Sequence, residues 1–376
     1  MAGNISFSRR QNLVEKLTRL PWFMLTTIIA IATFGTAILV SATHGDAANS
    51  QLAGDHAIRF VVTLIFAIGL AVTPIRIWSW VAYPAYLGAM ALLIGVEVAG
   101  VEAGGAQRWL QVGPVRVQPS ELMKIALLLA LARYYHRFLE KGPASAWVHV
   151  GAFVIIACPV ALILKQPDLG TSLLLAATGG TVIFFAGLSM KVITAAIGLV
   201  VIGAPTAYFF ALADYQKARV QTFLDPSRDP LGAGYQLQQA KIAIGSGGVS
   251  GKGYMQGTQS QLEYIPEQHT DFIFTIIAEE FGLVGALAIL AAWGVALWQG
   301  LLIAARSENA FGALAAAGVV ATLGFYVVVN IGMVMGLMPV VGVPLPLISY
   351  GGTAMLTVMV GFGLLMAVHI HRKDSL

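Results

Sequence analysis

Cysteine is almost missing from this chain. Its one residue, Cys158, stands in an apolar run, so no disulfide and no cysteine-based metal site can form within one chain. The thiol reads as a small buried apolar filler. Charge is scarce too. Only 11% of the 376 residues are charged, against about 25% in a soluble domain, which excludes an ordinary soluble protein. The net charge of +4 is not spread as a basic surface, so the sequence implies no nucleic-acid partner. Seven histidines show no ligand spacing, and no cofactor is required by any motif. A Mg²⁺ ion carried on a diphosphate remains compatible with the sequence. Internal repeats and low-complexity tracts are also lacking.

Apolar residues are abundant, at 57% of the chain. They fall into about ten runs near membrane-spanning length: 22–42, 57–73, 79–99, 119–139, 146–164, 170–188, 192–212, 270–303, 311–337 and 353–370. The expectation is an all-α, multi-pass membrane protein forming one domain over 1–376. Its first twenty residues are polar and basic, and the apolar run after them has about twenty residues and no small-residue cleavage site, so that run reads as a retained helix. The 270–303 run is too long for one straight crossing: either Gly282 and Gly285 break it, or its first turns line a cavity.

An even number of spans puts both termini on one side. Arg9, Arg10, Lys16, Arg19, Arg76, Arg133, Arg137, Lys141, Lys191, Arg306, Arg372 and Lys373 fall on that side. The short loops of the other side hold only Arg59, Arg108, Arg116 and Lys165. The positive-inside rule then makes both termini, including 1–21, cytoplasmic, and puts the long 213–269 loop outside the cytoplasmic membrane.

That loop belongs to the one long hydrophilic interruption, from Asp214 to Gly282. Its Asp225-Pro226 and Asp229-Pro230 pairs predict turns. The segment YQLQQAKIAIG has apolar residues at helical spacing and predicts a short interfacial helix. The glycine run from Gly245 to Gly253 fails as a phosphate-binding loop. Ser246 stands where a glycine is needed, Gly253 follows Lys252, and no strand precedes it. Its glycines instead permit close backbone approach to a ligand.

Charges in or beside spans are costly and point to function. Glu121 and Lys124 lie three apart on the helix that Pro119 opens; they read either as a neutralising pair or as cavity lining. Arg108 and Arg116, on the loop before it, could meet an anionic headgroup or snorkel. Asp168 precedes a span with Thr171 three residues on, the pattern of a helix N-cap. At the end of the loop come His269, Thr270 and Asp271. Locally, Thr270 reads as an N-cap with Asp271 in the first turn, where the helix dipole favours a carboxylate; the other reading is a catalyst. Glu279 and Glu280 follow, to pair with basic groups or to seal the cytoplasmic side of a cavity. Between 336 and 351, prolines and glycines at membrane depth predict irregular backbone against a cavity.

GAQRWL with QPSELMK, KQPDLGTS, DPLGAGYQLQQAKIAIGSGG, GKGYMQGTQSQLEYIPEQHTDFIF and PVVGVPLPLISYGG occur in order between about residues 100 and 370. Together they resemble the SEDS family (shape, elongation, division and sporulation), and GMVMGLMPVVGVPLPLISYGG is closer to its elongation branch than to its division branch. The resemblance implies a ten-helix, inverting peptidoglycan glycosyltransferase. Such an enzyme polymerises lipid II at the outer face of the inner membrane and releases undecaprenyl diphosphate. It implies a class B penicillin-binding protein (a transpeptidase) as partner, beside other elongation-complex membrane proteins. The family's essential loop carboxylate corresponds to Asp271, and its polar cavity to Arg59, Arg116, Gln118, Glu121, Lys124, Asp168, Arg219 and Lys241. Arg108 and His269 are added as substrate-binding candidates from their positions. A lipid II flippase, a scaffold for a transpeptidase and another outer-face glycan polymerase or ligase are the rival readings. The polar residues cluster at one face with no charge ladder across the membrane, which weighs against transport.

Overall fold

The computed structural model describes residues 12–44, 49–103, 106–113, 115–140, 142, 146–210, 214–229, 232–261 and 268–374. Arg9, Arg10, Lys141 and residues 262–267 lie outside the described residues. The chain folds as a bundle of helices: α1 (Leu13–Thr18), α2 (Trp22–Ala42), α3 (Leu52–Ala71), α4 (Ile75–Ala99), α5 (Pro119–Leu139), α6 (Ala146–Lys165), α7 (Leu169–Phe185) and α8 (Met190–Phe210). After the hydrophilic stretch come α12 (Ile273–Ala305), α13 (Ala310–Val334) and α14 (Gly352–Ile370). Seven of these, α2, α3, α4, α6, α12, α13 and α14, are long and apolar enough to cross a membrane. With α5, α7 and α8 they account for the ten expected runs. The molecule is a multi-pass membrane protein, and its helix ends differ from the expected ones by a few residues. Cys158, expected as a buried filler, is instead exposed on α6, because most of that helix faces outward from the bundle.

Packing divides the helices into inner and outer members. α13 and α14 are mostly buried, and α5 is buried along nearly its whole length. By contrast α3 and α4 turn Ile58, Val62, Ile65, Trp80, Leu87 and Val98 outward. An apolar face left outside a bundle is what lipid contact requires. Local sequence sets the starts. Pro119 occupies the first turn of α5, where its missing N–H costs nothing. Asn309 caps α13 by accepting the Gly312 N–H at 2.6 Å.

One element was not expected. Residues 101–117 form a small antiparallel sheet, β1 (Val101–Ala103), β2 (Ala106–Val112) and β3 (Val115–Val117), in the order β1-β2-β3. Trp109 pairs with Val101 and Gln111 with Arg116. The sheet joins α4 to α5 and carries Arg108 and Arg116.

The hydrophilic stretch is mostly helical in the parts described. α9 (Asp214–Leu224) is followed by a 3-10 turn, Pro226–Arg228, capped by Asp225. The Ser227 hydroxyl, and then Arg228, hold the Asp225 carboxyl below the usual carboxylate range. α10 (Ala233–Gly247) is the expected short helix, and α11 (Thr258–Gln261) a single turn.

The expected break in the long eighth run falls at Gly282, whose φ of 63° and ψ of −158° lie inside α12. Only glycine tolerates that backbone. The kink strands carbonyls and amides that a straight helix would pair. Residues 248–253 take them up. Lys252 and Gly253 N–H donate to the Glu279 and Glu280 carbonyls at 3.1 and 2.9 Å. Leu283 and Val284 N–H donate to the Gly248 and Val249 carbonyls at 3.0 and 3.1 Å. A Cβ on Gly251 would lie 2.1 Å from the Glu280 carbonyl oxygen. The glycine run therefore does permit close approach, but to the chain's own kinked helix.

Candidate active site

Two buried charges of α5 belong to one closed cluster. Glu121 and Lys124 project from the first turns of α5 and are 4% and 2% exposed. Lys124 Nζ lies 2.6 Å from Glu121 Oε1. Tyr326, from the middle of α13, donates its hydroxyl to Glu121 Oε2 at 2.6 Å and accepts a hydrogen bond from Lys124. The ammonium also sits 4.4 Å from the centre of the Tyr326 ring. Both charges are thus neutralised inside the protein, where an unpaired one would cost several kcal/mol.

Beside this cluster, Asp168 caps α7. Its carboxylate accepts the Thr171 N–H at 3.1 Å and the Thr171 hydroxyl at 2.9 Å. Arg108 reaches over from β2, with Nη1 3.9 Å from Asp168 Oδ2. It also donates to the carbonyls of Gln166, at 3.2 Å, and Pro167. Arg108 therefore braces the turn that carries Asp168. Gly170 packs against Val341, so the cap adjoins the irregular segment after α13.

That segment, residues 335–351, has the non-helical backbone its prolines and glycines predict. Three contacts, two from this segment and one from α13, fix the turn at the mouth of α12. The Ser349 hydroxyl donates to the Thr270 carbonyl at 2.5 Å, and the Tyr350 N–H to the His269 carbonyl at 2.9 Å. Asn330, near the end of α13, donates through one Nδ2 to the carbonyls of Asp271 at 2.8 Å and Val343 at 2.7 Å. Asp271 is held by its backbone, with a half-buried side chain. Its carboxylate adjoins Gly342, where a Cβ would lie 3.4 Å from Oδ2. Gly342 itself has φ +71°, a backbone that favours glycine.

The cap reading of this turn is corrected. α12 starts at Ile273 with Phe272, not Thr270, at its N-cap position, and the Phe272 side chain makes no cap hydrogen bond. Thr270 and Asp271 lie in the preceding turn because 335–351 and Asn330 hold their carbonyls there.

Cations border the same region. The Arg59 guanidinium stacks on the Tyr350 ring at 4.7 Å and lies near the first residue of α14, 3.5 Å from a Cβ built on Gly352. Thr353, next in that turn, donates to the Arg116 carbonyl at 3.4 Å, and the Arg116 side chain is exposed. The Arg59 guanidinium and the Arg116 backbone thus both border the positive end of α14. Lys241, on α10, lies against the turn at Gly336: a Cβ there would fall 2.6 Å from its Nζ. Gln118 is half-buried at the N-cap position of α5. Arg219, on α9, is half-buried and makes no ion pair among the described residues.

Sequence reasoning missed Tyr326, Asn330, Ser349 and Tyr350. An asparagine inside the apolar run VVVNIGMV was the available signal, since a polar side chain at membrane depth needs a partner. Glu279 found the basic partner expected for it: its Oε1 lies 2.6 Å from Lys252 Nζ and accepts the Gln259 N–H at 3.0 Å. Glu280 accepts the Ser41 hydroxyl from the end of α2. Both glutamates lie at the end of the bundle that bears Asp271, so they do not seal the opposite side. Among the described residues no three His, Cys, Asp or Glu side chains converge as metal ligands would.

Known proteins match almost the full length. The FtsW/RodA/SpoVE family model, described as cell cycle protein, covers residues 17–374. The peptidoglycan glycosyltransferase MrdB of Escherichia coli (strain K12) is 46% identical over 352 residues, 93% of each chain. A probable peptidoglycan glycosyltransferase FtsW of Geobacter metallireducens is 33% identical over 373 residues, 96% of this chain and 98% of that one. Among solved structures, the chain superposes on one from the "Structural coordination of polymerization and crosslinking by a peptidoglycan synthase complex". The TM-score is 0.83 and the identity 33%, over 95% of this chain and 99% of that one. The rod shape determining protein RodA of Thermus thermophilus gives a TM-score of 0.71 at 29% identity, over 95% and 98%.

Proposed function

The chain belongs to the FtsW/RodA/SpoVE family of cell cycle proteins and is a peptidoglycan glycosyltransferase; from that premise we propose that it polymerises lipid II for cell elongation, with Asp271 as the catalytic base. The observation that carries the role is the fixed turn at the mouth of α12. Three hydrogen bonds, from Asn330, Ser349 and Tyr350, hold the backbone of residues 269–271, and the half-buried Asp271 carboxylate lies against Gly342.

The chemistry uses that carboxylate once per turnover. An acceptor sugar hydroxyl attacks the anomeric carbon of an α-linked donor. Asp271 takes the hydroxyl proton as the new C–O bond forms. The bond from the anomeric carbon to the diphosphate oxygen breaks, and undecaprenyl diphosphate leaves with the electron pair. One displacement without a covalent sugar intermediate inverts the centre and gives a β-linked strand. Negative charge grows on the diphosphate, and Arg59, Arg116 and the N-terminus of α14 stabilise it. Lys241 approaches from the loop side, while Gln118, Arg219 and His269 contact the sugar or peptide. Lys124 is already bound by Glu121 and Tyr326, so that pair, Asp168 and Arg108 shape the floor and do not touch the leaving group.

The chain works in the inner membrane with both termini in the cytoplasm, a placement supported by its basic residues. A class B penicillin-binding protein cross-links the strands it makes. Support comes from the structural match to a peptidoglycan synthase that couples polymerization to crosslinking.

The test is a polymerisation assay with labelled lipid II, using the purified protein and its transpeptidase. Asp271→Asn should lower strand synthesis by about 100-fold or more and leave lipid II retention in place. Strands made at the normal rate would remove Asp271 from the base role. A wild type that makes no strands but carries lipid II across liposomes would establish the flippase instead.

A further inference from the structure

At the end of the bundle opposite Asp271, three arginines converge on one cavity. Arg76 stands in the first turn of α4; Arg133 and Arg137 are one turn apart near the end of α5. With Trp80, His136 and Glu140 they line a pocket of about 360 Å³. The convergence is supported from the neighbouring helix. Arg133 Nη1 donates to the Ser79 hydroxyl, and the Arg137 guanidinium lies 5.7 Å from the centre of the Tyr83 ring. Side chains of α4 therefore hold both cations of α5.

The charge in this pocket is not balanced. Glu140 is the one carboxylate lining it, and its Oε1 is already 3.3 Å from His136 Nε2. Among the described residues none of the three guanidiniums makes an ion pair. His136 is 7% exposed, and its Nδ1 has no hydrogen-bond partner among the described residues. The adjoining cavity, which shares His136 and Glu140, sets Lys373 against Glu308 and Asp374 and has no such excess. A topology rule asks only that basic residues lie on one side. It does not gather three of them around one cavity or anchor them on a serine and a tyrosine.

We propose that this pocket binds the phosphodiester headgroup of an anionic phospholipid. Guanidiniums pair with phosphate oxygens in a two-pronged geometry. The rim favours a lipid over a soluble phosphate. Trp80 is exposed at the edge of the pocket, and Leu87 and Ile94 continue outward from it at seven-residue spacing along α4. A tryptophan at headgroup level with an apolar stripe beyond it is where acyl chains would lie. Basic pockets between spans on the cytoplasmic side suit such headgroups. The site lies apart from Asp271 and stands whether or not Asp271 is the base.

Native mass spectrometry of the detergent-purified full chain tests this without measuring activity. Wild type should retain one phosphatidylglycerol or cardiolipin in preference to phosphatidylcholine. Arg76→Gln with Arg137→Gln should lower that retention by about tenfold or more, since two basic contacts are lost. Should loss of positive charge disturb insertion, Arg76→Lys with Arg137→Lys keeps the charge and should still weaken retention. Equal retention by wild type and both double variants would overturn the proposal, as would no preference for anionic lipid. Millimolar inorganic phosphate should leave the lipid bound; displacement would assign the pocket to a soluble phosphate and overturn the lipid reading.

Discussion

Replacing Lys124 with methionine separates structure from chemistry in the buried cluster. Glu121 would keep the Tyr326 hydroxyl on Oε2 but lose the ammonium 2.6 Å from Oε1. Removing one partner of a buried ion pair costs about 3–5 kcal/mol. The surviving Tyr326 bond argues for the low end, about 3 kcal/mol. With about 2.1 cal/mol/K of unfolding entropy per residue over 376 residues, that is a fall in Tm of about 4 °C. Glu121→Gln with Lys124→Met removes both charges and leaves an amide that still accepts from Tyr326, so most of the loss should return. Thermal denaturation of the purified protein, followed by tryptophan fluorescence, reads the stability. Strand synthesis well below both transitions reads the chemistry. If Lys124→Met melted with wild type, the cluster would carry no buried-charge energy and the reasoning would fail. If the double variant regained its Tm but made no strands, the pair would belong to the reaction and not to the floor.

Three further outcomes follow from other contacts. Asn330→Ala removes two hydrogen bonds of about 1 kcal/mol each, so kcat should fall roughly 10- to 100-fold with KM little changed; Asn330→Asp should not rescue it, and a change confined to KM would contradict the positioning role. Gly282→Ala puts a Cβ 2.4 Å from the Gly251 nitrogen and 2.6 Å from the Val249 oxygen. Hydrogen exchange should then show Leu283 and Val284 losing amide protection, and unchanged protection would mean that residues 248–253 do not secure the kink. In the 3-10 turn, the Ser227 hydroxyl and Arg228 lower the Asp225 pKa. The sign is that of a depressed carboxylate: the turn is held above the ordinary carboxylate pKa and released as pH falls through the lowered one. A carbon NMR titration should place Asp225 below a free aspartate, and a value at or above it would remove that contact.

Much of the architecture was legible because membrane helices announce themselves by apolar length. The break at Gly282, the cap at Asp168, the Glu121–Lys124 pair and the irregular 335–351 backbone all follow from local rules. What was not legible required partners remote in sequence. Glu121 meets Tyr326 across 205 positions, and nothing near either residue encodes the other. The N-cap assigned to Thr270 failed for the same reason: Ser349, 79 residues on, takes its carbonyl. β1 and β3 are three residues each, too short for an alternating pattern to emerge. The glycine run was half legible, since its need for close approach showed but not the helix it approaches.

The kink in α12 also divides a helix longer than one crossing needs. From Leu283 to Ala305 the helix is about 35 Å long at 1.5 Å per residue, enough alone for a hydrocarbon layer of about 30 Å. The nine residues from Ile273 to Phe281 are therefore surplus to a straight crossing, and all but Phe281 are buried in the bundle. Glu279 and Glu280 belong to this inward stretch, paired with Lys252 and Ser41, so the kink lets the chain carry two carboxylates next to a span without turning either toward lipid.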